Sequence, residues 1–99
     1  MTADAFERRR FVQQHFVGRI SSEVFDPGYR NHTSLLGAGW DIRVYLNDVL
    51  QEDWITADPE QGFIQKRTFL RTGMKTEIRW GGVAIRILKR LKSSHGGLA

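Results

Sequence analysis

Trp40-Asp41-Ile42-Arg43-Val44-Tyr45-Leu46-Asn47-Asp48 is the stretch whose reading decides the fold. Trp40, Ile42, Val44 and Leu46 alternate with Asp41, Arg43 and Tyr45, the period-two pattern of a strand with one buried and one wet face. Asn47-Asp48 can close a two-residue hairpin because both residue types tolerate positive φ. Downstream, residues 49–57 read as the return strand. Asp58-Pro59-Glu60-Gln61-Gly62 reads as a second turn, with Pro59 preset for its first corner. Residues 63–70 make a third strand and Thr72-Gly73 a turn. Residues 74–80 make a fourth, in which Met74, Thr76, Ile78 and Trp80 alternate with Lys75, Glu77 and Arg79. Gly81-Gly82 signals a further hairpin, and Val83, Ile85 and Ile87 form the inward row of a fifth strand.

Upstream of Trp40 the periodicity changes. Thr2 or Asp4 can cap a helix that starts near Ala5, with Glu7 in a first turn where the helix dipole favours an acid. Phe6, Val12, Phe16 and Ile20 fall near one face, opposite Arg8, Arg9, Gln13, Gln14 and Arg19, which predicts an amphipathic helix over 4–20. Residues 21–39 read as a long connection, with Asp26-Pro27-Gly28 as a turn and Gly37-Ala38-Gly39 freeing the backbone before the first strand. The fold class expected is therefore α+β: an N-terminal helix packed on a five-stranded antiparallel meander (40–88), open or partly closed as a small barrel. Residues 1–92 make one domain, and Ser93 onward a polar, glycine-rich flexible tail.

Composition narrows the function classes. The 99 residues include no cysteine, which removes disulfides and thiolate metal sites. No apolar run approaches the roughly 20 residues needed to span a bilayer. Arg8-Arg9-Arg10 is followed by no signal-peptide core, so a soluble, intracellular protein is expected. The net charge of +4 is unevenly spread. Residues 1–20 carry four Arg against Asp4 and Glu7; residues 21–60 carry eight acids against Arg30 and Arg43; residues 61–99 carry nine Lys and Arg against Glu77 alone. An acidic middle and a basic last third suit contact with an acidic partner, or mutual neutralisation of hairpin and strands within the fold.

Arg43-Val44-Tyr45-Leu46-Asn47-Asp48-Val49, then Ala57-Asp58-Pro59-Glu60-Gln61-Gly62-Phe63, then Gly82-Val83-Ala84-Ile85-Arg86-Ile87 resemble a pattern of small, mostly uncharacterised proteins of tailed phages and prophages. There a Val-x-Val-x-Leu strand, an Asn-Gly or Asp-Gly turn and an Ala-Asp-x-x-x-Gly turn follow one another; Asp48 stands where glycine is usual. The resemblance spans residues 43–87, implies a phage-type origin and carries over no catalytic residue.

Chemistry is sparse. Glu52, Asp53, Asp58 and Glu60 cluster around one hairpin without calcium-loop spacing, and read better as a solvated hairpin than as a cation site. His15, His32 and His95 lack the paired spacing of a zinc site. There is neither a phosphate-binding glycine loop nor a nucleophile elbow, so no enzyme, metal or cofactor is expected. Two binding readings remain. In the first, the chain is a non-enzymatic assembly module that contacts a phage or host protein through a charged sheet face and the 21–39 loop. Tyr29, Arg30, Asn31, His32 and Tyr45 are its contact candidates. In the second, nucleic acid meets the basic third through Lys66, Arg67, Arg71, Lys75, Arg79, Arg86, Lys89, Arg90 and Lys92, with Lys75 and Arg79 sharing the outward face of the fourth strand. An exposed edge strand would also be open to a second copy of the chain, and no membrane contact is expected.

Overall fold

The computed structural model describes residues 11–90. The architecture is mostly β, which overturns the expected helix on a five-stranded meander. β1 (Phe11–Phe16), β2 (Ile20–Ser21), β3 (Asp41–Leu46), β4 (Val49–Gln51), β5 (Trp54–Asp58), β6 (Phe63–Leu70), β7 (Gly73–Trp80) and β8 (Val83–Arg90) form two antiparallel four-stranded sheets. The strand orders are β1-β8-β3-β4 and β2-β5-β6-β7. A single short helix, α1 (Tyr29–Gly37), lies mid-chain among the described residues. Residues 4–10 of the expected N-terminal helix and the tail 93–99 lie outside the described residues.

The core forms between the sheets. Ile20, Ala57 and Ile64 from the second sheet meet Val44, Ile85 and Ile87 from the first, flanked by Phe16, Trp40, Ile42, Leu46 and Trp54. The period-two rows explain this: Ile42, Val44 and Leu46 lie opposite Ile87, Ile85 and Val83 in register, so one face of β3 and β8 is continuously apolar. A second sheet takes the covering role assigned to the helix. Residues 11–16 pair with β8 instead, Gln14 opposite Ile87 and Phe16 opposite Ile85. Phe, Val and His fit a half-buried pleat as readily as a helix, and the free flank of β8 decides between them.

Two breaks split the expected meander. Residues 49–57 are not one strand, because Asp53 takes φ 56° between β4 and β5, which belong to different sheets. Gly81-Gly82 likewise does not close a hairpin: β7 pairs with β6, whereas β8 pairs with β1 and β3. Asn47 holds this crossover. With φ 49°, it donates its N–H to the Gly82 carbonyl (2.8 Å) and accepts the Gly82 N–H on Oδ1 (2.9 Å). A Cβ on Gly81 would meet the Asn47 side chain at 2.8 Å, so any other residue there must displace the amide that holds Gly82.

Residues 21–39 are not a loop either. They contain α1, which ends in a Schellman arrangement: Gly39 at φ 88° donates to the Leu36 carbonyl (3.0 Å) and Trp40 to that of Leu35 (3.0 Å). The helix has no side-chain N-cap, and Asn31, His32, Thr33 and Ser34 are indifferent helix formers. Tertiary contacts supply what propensity lacks. Asn31 Nδ2 donates to the Arg19 carbonyl (2.9 Å), His32 meets the Trp54 ring edge-on at 5.5 Å, and Leu35 packs on the core.

Candidate functional site

Two polar clusters are built into the sandwich. Arg19 clamps Asp26 through Nε to Oδ1 (2.8 Å) and Nη2 to Oδ2 (2.6 Å), and reaches Asp58 Oδ2 through Nη1 (3.3 Å). Its guanidinium also lies 5.2 Å from the centre of the Phe63 ring. Asp58, buried, accepts the Gln61 N–H (2.9 Å) and Gln61 Nε2 (3.1 Å), and Asp26 accepts the Gly28 N–H (2.7 Å). The hydrogen bond from Arg19 holds Asp26 below the ordinary carboxylate range against a contrary push from burial. Burial pushes the Asp58 pKa up, but the Gln61 N–H and Arg19 outweigh it and the net shift is downward. The two carboxylates in turn raise Arg19, chiefly through the Asp26 hydrogen bond. Beside this, the buried hydroxyls of Ser21 and Thr56 share a 2.7 Å hydrogen bond. Both clusters are internally satisfied and tie the turn at 22–28 to β5. They are structural, and sequence reading saw of them only the two turns, Asp26-Pro27-Gly28 and Asp58 to Gly62, and not the Arg19 that joins them.

The protein-contact candidates separate on inspection. Tyr29, Arg30, Asn31 and His32 all lie on the first turn of α1, but Asn31 and His32 are used in packing and only Arg30 and Asn31 are exposed. Burial lowers the His32 pKa, so it is a neutral packing residue at pH 7. Tyr45 lies on the outer face of the first sheet, half-buried beneath the Arg86 guanidinium at 5.0 Å from its ring.

The basic candidates do not form one surface. Arg86 stands opposite both His15 and Arg43 on the outer face of the first sheet, and its Nε is buried without a hydrogen-bond partner. Lys89 Nζ sits 5.5 Å from the centre of the Trp40 ring. Arg90 ends β8, and Lys92 lies outside the described residues. The remainder lie on the hairpin of β6 and β7. Lys75 and Arg79 are not on the outward face expected for them: with Lys66 they fall on the face that continues from core residue Ile64, because the outward face of the ribbon is the one that carries Met74, Ile78 and Trp80; Arg67 is on that opposite face and Arg71 in the turn. Lys66 Nζ donates to Gln51 Oε1 (2.9 Å), and Arg79 pairs with Glu77 (3.0 Å), which also accepts the Thr68 hydroxyl (2.8 Å).

That hairpin carries the most unusual surface among the described residues. β5 pairs with β6 only as far as Lys66, so the distal part is a two-stranded ribbon that extends a body measuring 52 × 31 × 27 Å. In register, Phe63 lies opposite Trp80, Gln65 opposite Ile78, Arg67 opposite Thr76 and Phe69 opposite Met74. These pairs share the face turned away from the core. Phe69, Met74, Ile78 and Trp80 on it are 69%, 57%, 54% and 67% exposed, whereas sequence alternation alone assigns such a row to a core. The missed signal is the basic row of Lys75 and Arg79: a strand charged on one face and apolar on the other needs a covering layer, and among the described residues no segment beyond Ala57 supplies one.

Among the described residues no three His, Asp or Glu side chains gather as a metal site, and no helix is long and apolar enough to cross a membrane. Compared with protein-family models, curated proteins and solved structures, the chain matches none.

Proposed function

We propose that the protein is a non-enzymatic assembly module of phage type, acting in a host cytoplasm or a virion, that binds another protein through the outer face of the β6–β7 ribbon. One observation carries this reading: four large apolar side chains, each more than half exposed, lie in register on one face of a projecting ribbon. Large apolar side chains exposed on this scale, at both ends of a face that carries only Gln65, Arg67 and Thr76 between them, cost solubility unless a partner covers them. The resemblance of residues 43–87 to small phage proteins supports an assembly role. The satisfied Arg19 and Ser21 clusters support it too, since the polar groups buried in them are committed to the fold. The test is photo-cross-linking in the cell of origin from a probe at Ile78, with a probe at Arg43 on the other sheet as control. A discrete protein adduct from position 78, weakened by Met74→Ser, is expected. No adduct from 78, or an equal one from 43, refutes the reading.

A second reading has its own observation. Lys66, Arg67, Arg71, Lys75 and Arg79 lie on the ribbon against Glu77 alone, which suits phosphate contacts. Titration of labelled DNA and RNA across salt concentrations separates the two readings. The protein-contact reading expects no binding at physiological salt, and binding there with a steep log–log salt slope favours nucleic acid.

A further inference from the structure

β7 ends the second sheet, and among the described residues no strand pairs with its outer side. An eight-residue edge presents N–H and C=O groups to solvent, a template for one more strand. Edges are commonly blunted by proline, by bulges or by charged side chains, and a charged edge excludes copies that bring like charges while admitting one that brings opposite charges. β7 has no proline, and its charges alternate in sign: Lys75, Glu77, Arg79. Read antiparallel in a register offset from its own centre, that order sets Lys75 against Glu77 of the other strand. We propose that β7 pairs edge to edge with β7 of a second copy, antiparallel and centred on Thr76. The proposal rests on the ribbon being a protein-contact surface and names its partner as the same chain.

The register follows from parity and charge. In a two-fold antiparallel pair the axis passes between the two copies of one residue, and facing residues point to the same side. Centred on Glu77, the pairing sets Glu77 against Glu77 and Lys75 against Arg79, all like charges and all unfavourable. Centred on Ile78, it matches Glu77 with Arg79 but pairs only residues 76–80 and leaves Met74 beyond the partner strand. Centred on Thr76, it pairs residues 73–79 and sets Lys75 against Glu77 of the second copy twice. Met74 then faces Ile78 of the second copy on the outer side. The two apolar rows become one continuous patch across an eight-stranded sheet.

The chain has no cysteine, so single substitutions report the register directly. Facing Cα atoms of an antiparallel ladder lie about 4.5–5.5 Å apart, within disulfide reach. Under mild oxidation Thr76→Cys is expected to give a linked dimer, and Glu77→Cys and Ile78→Cys far less. In sedimentation the unsubstituted chain is expected at twice its 11.4 kDa mass. Lys75→Glu and Glu77→Lys should each give monomer, and the double swap should restore the dimer. Circular dichroism confirms that each variant is folded. The proposal is overturned by a wild-type monomer without a Thr76→Cys cross-link, as when another segment of the chain covers the edge. Stronger linkage at 77 or 78, or a double swap that stays monomeric, overturns it as well. A monomer whose Ile78 probe still cross-links a different protein removes self-pairing and leaves the ribbon reading intact; a ribbon inert in both assays removes both.

Discussion

Replacing Arg19 by alanine should be the most damaging single change at a polar side chain in the described fold. Arg19 makes two hydrogen bonds to Asp26 and one to Asp58, at 2.8, 2.6 and 3.3 Å, and about a quarter of its side chain is exposed. A hydrogen bond to a charged partner contributes about 1.5–3 kcal/mol, and partial exposure reduces the set below its sum. Asp58 keeps both bonds from Gln61, so the carboxylate is not wholly orphaned. The net cost is therefore about 2–4 kcal/mol, or roughly 10–25 °C in Tm for a domain of this size. Urea unfolding should show a lower midpoint with an unchanged m-value. Arg19→Lys should recover little, because an ammonium cannot reproduce the two-pronged contact. The pH dependence adds a sign. Asp26 and Asp58 have lowered pKa values in the folded state, so their stabilisation is fully present above the unfolded value of 3.8 and is lost as pH falls through the folded values. The gap between wild type and Arg19→Ala should thus narrow below pH 3.8. A variant within about 0.5 kcal/mol of wild type at pH 7, or a gap that does not narrow in acid, would refute the clamp's role.

Three further outcomes follow from the same geometry. Asn47→Ala should cost about 1–2 kcal/mol in urea unfolding, from the lost Gly82 hydrogen bond and the positive φ, whereas Asn47→Gly relieves the strain and should cost less. Thr56→Val takes away the 2.7 Å partner of the buried Ser21 hydroxyl and should cost about 1–3 kcal/mol; adding Ser21→Ala should recover only part of it, because the Glu23 N–H then loses the Ser21 Oγ that accepts it (3.1 Å). Burial lowers the His32 pKa, so the unfolded chain binds its proton first as pH falls below 6.5. Stability should decline from there downward, less so in His32→Gln, and an NMR titration of His32 at its ordinary value would contradict this.

Much of the strand content is legible in the sequence, while the way the strands are shared between sheets is not. The rows Ile42-Val44-Leu46 and Val83-Ile85-Ile87 mark β3 and β8 and their inward faces, because a one-residue slip would turn each row to solvent. Asn47-Asp48 marks its own turn by tolerating positive φ, at 49° and 68°. Pairing is a long-range property. Nothing local in Gly81-Gly82 distinguishes a hairpin from a passage between sheets; the lock from Asn47 makes the difference. The segment 11–16 carries apolar residues at spacings that serve a helix or a strand, and the vacant flank of β8 selects the strand. In α1, poor helix formers and an absent cap conceal a helix whose support comes from Arg19, Trp54 and the core. The candidate surface was half visible. Alternation in 74–80 is plain, but which row is covered depends on where the second layer ends, and that is set by β5 leaving β6 at Lys66.

The claim that the apolar row of the ribbon belongs to a contact and not to the core is tested most directly by urea unfolding of Phe69→Ser/Ile78→Ser, measured in dilute solution where association adds no stability. The account predicts an unchanged m-value and an unfolding free energy within about 0.5 kcal/mol of wild type, the ordinary range for exposed positions. A loss of about 2 kcal/mol or more, the size of a core truncation, would contradict it.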